Sequence, residues 1–158
     1  MKILLLGDIN YDPQPGDDII RRGTDIHDID DNSINMAICT NLPEVNRSEI
    51  MSFLAKLYNT LVHGGQVAFQ VPSAEFATKL VFTNQFNSPA MFMLYGSSKR
   101  PFRAFYTIAA LRAIIESAKY ATIEAQDDLL TLSPGIEKIE LTIHTLVVSQ
   151  VLINDLNQ

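Results

Sequence analysis

Apolar residues fill Ile3, Leu4, Leu5 and Leu6 without a break. A short continuous run of this kind is the pattern of a strand buried on both faces. The stretch Asp12-Pro-Gln-Pro-Gly-Asp17 holds two prolines and a glycine and excludes regular structure. Asp18 to Arg22 suits a short strand and Ile34 to Thr40 another. Leu54, Leu57, Leu61 and Val62 then recur at helical spacing, predicting an amphipathic helix from Ser48 to Val62 with Ser48 as its N-cap. Gly64 and Gly65 are expected to stop that helix, the first by taking the left-handed conformation in which a Cβ is penalised. Gln66 to Val71 is rich in strand formers and ends at Pro72. Ala74 to Val81 suits a helical turn, and Thr107 to Tyr120 a helix capped by Thr107 with Leu111, Ile114, Ile115 and Ala118 on its apolar face. Tyr120 to Ala125 and Ile139 to Val148 read as the last two strands, with Pro134-Gly135 in the turn between them. Strands alternating with helices predict an α/β protein, a mostly parallel sheet in a three-layer sandwich. Residues 82 to 99 are polar and aromatic with no clear period.

The chain has 158 residues, 47% of them hydrophobic, with mean hydropathy +0.09. One domain spanning residues 1–158 with a real core is expected. No apolar run reaches the roughly 18 residues that span a bilayer, and MKILLLGD is too short for a signal peptide. A cytoplasmic location without membrane contact follows as an expectation. The first fifty residues hold ten acids against four bases and so carry the whole net charge of −6. An acidic third of this size argues against a nucleic-acid backbone as partner. The small basic cluster Lys99-Arg100-Pro101-Phe102-Arg103 reads as a solvated loop. Cys39 is the single cysteine, so no intrachain disulfide forms, and no base evident beside it would make it reactive. The acids around His27 lack the glycine and closing glutamate of a calcium loop, and the three histidines are far apart, so no metal site is expected.

The order of several short motifs narrows the class. Leu54 to Pro72, LAKLYNTLVHGGQVAFQVP, is similar to the "LKPGG…VP" passage of class I S-adenosylmethionine-dependent methyltransferases, between helix D and strand 5. Upstream, Asp25 to Asn41 resembles that family's "D…LPFPDNSFDLIYASH" segment, with Asp31-Asn32-Ser33 as the turn into strand 4. Leu42-Pro43-Glu44-Val45 stands where those enzymes often read "LEH", and Arg47 to Leu54 resembles the start of the helix that follows. Leu94-Tyr95-Gly96 and Phe102 to Thr107 resemble a "YG…HKSGFT" passage, and Leu111 to Tyr120 resembles "LRALLEAAGF". The resemblance covers roughly residues 1–125. It implies a Rossmann-like three-layer αβα methyltransferase fold with an antiparallel C-terminal strand, and S-adenosylmethionine as cofactor.

The family's opening pattern is strand, glycine-rich turn, helix, strand. Here only Gly7 follows the first strand, and eleven residues with two prolines separate Leu6 from Asp18. A βαβ crossover needs at least about 10–12 residues including its helix, so no helix and second strand fit there. Either the first βα unit is deleted or two strands have merged, and deletion is the preferred reading. Lys2 to Ile9 then stands on the ribose side, with Asp8 or Asp12 as the terminal acid and Gly7 at the strand end. By the same resemblance Asp25 matches the acid that touches the adenine amino group, Ile26 lies beside the ring, and Asn41 faces the crevice at the end of strand 4. Methyl transfer relies heavily on positioning, so few diagnostic catalytic side chains are expected. The resemblance implies a methyltransferase acting on a small molecule or sugar-type acceptor. The missing turn also fits a binding or assembly module that has lost the cofactor. An uncovered edge left by the missing unit predicts a homodimer.

Overall fold

A computed structural model of the chain describes residues 1–82, 95–96, 101–132 and 139–150. The strands are β1 (Lys2–Leu6), β2 (Asp18–Arg22), β3 (Ile34–Cys39), β4 (Leu61–Pro72), β5 (Tyr120–Leu132) and β6 (Ile139–Gln150). The helices are α1 (Ile50–Thr60), α2 (Ala74–Phe82) and α3 (Ile108–Ser117), with a 3-10 turn at Leu42–Glu44. The six strands form one sheet in the order β2-β1-β3-β4-β6-β5. β2, β1, β3 and β4 run parallel, and β6 lies antiparallel between β4 and β5. The predicted mixed α/β sheet with an antiparallel C-terminal strand is therefore present.

The apolar run of β1 explains its central place: Ile3, Leu4, Leu5 and Leu6 are all fully buried, which requires cover on both faces of the sheet. Leu4 and Leu6 share one core cluster with Phe53, Leu54 and Leu57 of α1 and Leu111 and Ile115 of α3. At the end of α3, Tyr120 packs edge-on against Tyr58 (centroids 5.2 Å apart) and Phe69 (5.9 Å). Its hydroxyl donates to the Leu54 carbonyl at 2.8 Å. Thr107 caps α3 as expected, its side chain accepting from the Ala110 N–H. A single strand, β1, stands between β2 and β3, and residues 7–17 join β1 to β2 without a helix, as the eleven-residue spacing with its two prolines predicted.

The Gly-Gly passage folds differently from the expectation. α1 ends at Thr60, and Glu49 rather than Ser48 stands at its N-cap. The chain enters β4 at Leu61, which pairs with Ile34; Gln66 then pairs with Met36, so five steps of β4 oppose two of β3. This bulge needs both glycines. Gly64 takes φ +73, and a Cβ on Gly65 would meet the Val62 carbonyl oxygen at 2.9 Å. The Pro134-Gly135 turn lies outside the described residues.

Candidate functional site

Parallel strands gather their C-terminal ends on one edge of the sheet, where ligands of open α/β sheets bind. Here that edge is made by Leu6-Gly7-Asp8 after β1, Gly23 to Ile26 after β2, and Thr40-Asn41 after β3. Hydrogen bonds tie the strand ends together. The Leu6 carbonyl accepts from the Thr40 N–H (2.9 Å) and the Thr40 hydroxyl (3.2 Å), and the Gly7 N–H donates to the Arg22 carbonyl at 3.2 Å. Gly7 has φ +107, and a Cβ there would lie 2.3 Å from Thr40 Oγ1 and 3.4 Å from the Asn41 backbone N. Only glycine allows β1 and β3 to approach this closely.

Asn41 follows directly and opens the 3-10 turn. It is 2% exposed, and its Oδ1 accepts from the Cys39 thiol at 3.3 Å. Its Nδ2 is buried without a hydrogen-bond partner among the described residues. A buried donor left unpaired costs roughly 1–3 kcal/mol, which favours an acceptor there from outside the described residues, such as an ordered water or a ligand atom. Burial pushes the Cys39 thiol up to about 12, which keeps it a protonated donor and excludes thiolate chemistry at neutral pH. Burial likewise pushes the Tyr106 hydroxyl up to about 12.

The structure brings Gly7 and Asn41 into contact and places Asp8 next to them, exposed, at the end of β1. Asp12 goes elsewhere. It is exposed on the return loop beside Tyr11, whose hydroxyl bonds to Asp17 at the start of β2, the opposite edge of the sheet. Asp25 and Ile26 lie beyond β2. Ile26 is buried against the core, whereas Asp25 is largely exposed and hydrogen-bonded to His27. The side-chain and backbone hydrogen bonds from His27 hold the Asp25 carboxyl below its usual range, and Asp25 in turn raises the imidazole.

A cleft of about 600 Å³ opens beside Asp25. Its walls carry charges of both signs, Asp25, Glu44 and Glu49 with Lys56 and Arg103, beside the His27 imidazole. Lys56 is committed to structure, donating to the Ile29 carbonyl at 2.8 Å. Arg103 is positioned by its backbone, whose N–H donates to the Pro43 carbonyl at 2.7 Å. Of the small basic cluster, Lys99 and Arg100 lie outside the described residues.

A polar junction that sequence reading missed lies at the end of β4. Ser73 caps α2 by accepting from the Phe76 N–H (3.1 Å), and its hydroxyl donates to Glu75. Glu75 also accepts from the Ile108 N–H of α3 (2.9 Å) and is hydrogen-bonded to His144 of β6. Burial alone would raise the Glu75 carboxyl, but the bonds from His144 and the backbone N–H groups outweigh it and lower the value. A depressed carboxylate binds fewer protons folded than unfolded. Its contribution is therefore present above the ordinary carboxylate value of 4.5 and is lost as pH falls through the folded value. Thermal melts of wild type and Glu75→Gln should differ at neutral pH and converge in acid; parallel curves throughout would remove this linkage. The only sequence signal was Ser73 after Pro72, because His144 is 69 positions away.

Among the described residues there is no group of three or more His, Cys, Asp or Glu side chains able to hold a metal ion, and no helix long and apolar enough to cross a membrane.

No protein-family model matches the chain, and no curated protein matches it. Solved structures do. An S-adenosylmethionine-dependent methyltransferase from Methanosarcina mazei is 14% identical and superimposes with TM-score 0.62 over 96% of this chain and 92% of its own. One from Mesorhizobium loti is 10% identical, with TM-score 0.57 over 94% and 90%. The Burkholderia thailandensis 1,6-didemethyltoxoflavin-N1-methyltransferase, seen with 1,6-didemethyltoxoflavin and S-adenosylhomocysteine, is 12% identical. Its TM-score is 0.57 over 86% of this chain and 52% of that enzyme. The chain has the fold of the class I S-adenosylmethionine-dependent methyltransferases.

Proposed function

We propose that this chain binds S-adenosylmethionine along the C-terminal edge of β1, β2 and β3 and transfers its methyl group to a small-molecule acceptor, with sugar-type compounds included. The observation that carries the reading is the juxtaposition of Gly7 and Asn41: a strand end with no room for a Cβ, beside a buried amide donor that no group among the described residues meets. These features suit a polar ligand at this edge. Asp8 supplies an exposed carboxylate for hydroxyl groups, and the ionised Asp25 supplies one for an amino group. The cofactor brings an electrophilic methyl group on a sulfonium. The chain's part is to hold and orient it, which is why no general base has to be found before the reading stands. A cleft of about 600 Å³ is the size that small-molecule sites have. Its mixed charge favours a polar acceptor.

Calorimetric titration with S-adenosylhomocysteine tests this. Binding is expected, weakened about tenfold or more in Asp25→Ala, the loss that follows from removing a hydrogen bond to a charged group. Absence of heat at high ligand concentration would sink the proposal. The chain would then be a binding or assembly module on a methyltransferase fold.

A further inference from the structure

β2 is the outermost strand of the described sheet, paired only with β1. The hydrogen bonds show which way its backbone faces. The Asp18 N–H donates to the Met1 carbonyl and the Arg22 carbonyl accepts from Gly7, both toward β1. By strand alternation Asp18, Ile20 and Arg22 turn their backbone groups inward, and Ile19 and Arg21 turn theirs to the free edge. The sequence of this edge, Asp-Ile-Ile-Arg-Arg, is complementary to itself when reversed about Ile20. An antiparallel copy related by a two-fold axis at Ile20 places each Ile19 opposite the other chain's Arg21. These outward-facing residues are the ones that exchange both N–H and C=O bonds. The same register sets each Asp18 opposite the other chain's Arg22 in the closer, non-hydrogen-bonded positions, with Ile20 against Ile20.

We propose that two copies of this chain join through β2, edge to edge and antiparallel about Ile20, making one continuous sheet with two Asp18–Arg22 pairs across the axis. Other registers are worse. A two-fold at Arg21 opposes arginine to arginine, and one at Ile19 needs the Asp17 carboxylate, which already accepts from the Gln14 N–H. The half-buried Ile19 and Ile20 lose water in the contact. Arg22 now donates to the Arg21 carbonyl (3.0 Å) and to Asp28 (3.4 Å); a pairing strand replaces the first of these bonds and turns the guanidinium toward Asp18. The interface is short, so the dimer is weak and follows concentration by mass action. Proteins usually block such edges; this one carries both signs in an order that accepts its own copy.

Sedimentation velocity of the full chain over about a hundredfold range of concentration reads the dimer directly. Ile19→Pro removes an outward N–H, a position where edge strands tolerate proline, and should leave a folded monomer. The decisive arm is charge reversal. D18R and R22D, each alone, set like charges opposite one another and should weaken the dimer about tenfold or more. An equimolar mixture of the two restores both pairs and should dimerise like wild type. A wild type that stays monomeric overturns the proposal and leaves the edge to another occupant. A dimer that survives Ile19→Pro, or a mixture that fails to recover, overturns it as well.

Discussion

Gly7→Ala is expected to cost about 3 kcal/mol of folding stability, combining backbone strain with overpacking, and to abolish ligand binding at the strand ends. Two independent effects act at this position. At φ +107 an L-residue is strained in any surroundings, and the added methyl would sit 2.3 Å from Thr40 Oγ1. Thr40 cannot easily give way, because its hydroxyl and its N–H both hold the Leu6 carbonyl. Relief therefore has to come from separating β1 from β3, which disturbs the strand ends where Asn41 is buried. Gly16 provides the control: it has φ +89 with nothing within 4 Å of a built Cβ, so Gly16→Ala isolates the strain. Urea unfolding should show the Gly16 variant losing about 1 kcal/mol and the Gly7 variant clearly more. Adding Thr40→Ala to Gly7→Ala should return part of the difference, the non-additivity expected of residues in contact. Equal losses for the two glycines would mean that the close approach of β1 to β3 has no energetic consequence.

The sequence disclosed the parts of the fold whose pattern is local. The unbroken run Ile3 to Leu6, the helical spacing through Leu57 and the Thr107 cap each follow from neighbours in the chain, and each element formed where it was expected. The misjudged places are set by partners far away. Leu61 continues a helical period yet becomes strand, because it pairs with Ile34 across the sheet. β5 runs on to Leu132 through Glu124, Gln126, Asp127 and Asp128, residues of low strand propensity, because β6 pairs with it position by position. The same division holds at the site. The places of Gly7, Asp8 and Asn41 at the C-terminal ends of β1 and β3 were legible because each lies within two residues of a strand-forming run. Asp12 was indistinguishable from Asp8 on sequence grounds, and only the path of the return loop separates them. Apart from Ser73 after Pro72, the Glu75–His144 junction had no local signature. Its members meet through the antiparallel register that sets Val71 opposite His144.

Phe69→Ala is expected to destabilise the protein by about 3–5 kcal/mol, the range for removing a fully buried aromatic side chain. Among the described residues Phe69 is the largest fully buried side chain. It lies opposite Cys39 on β3 and Leu146 on β6, so the parallel and antiparallel halves of the sheet meet at it. Its ring stands edge-on to Tyr120, which in turn stands edge-on to Tyr58 and donates to the Leu54 carbonyl. Loss of the ring therefore leaves a cavity and also frees Tyr120, the residue that fastens the end of α3 to α1. Tyr120→Phe keeps both ring contacts and removes only the hydroxyl, and should cost about 1 kcal/mol. In the double variant the two losses should fall short of adding, because Tyr120 is already loosened once Phe69 is gone. The urea midpoint should drop with little change in slope, since the same surface unfolds. Saturating ligand should recover part of the loss by mass action, because the strand-end residues are untouched. A loss of less than about 2 kcal/mol for Phe69→Ala would show that the surrounding leucines collapse into the space, and that the sheet is held together elsewhere than at this ring.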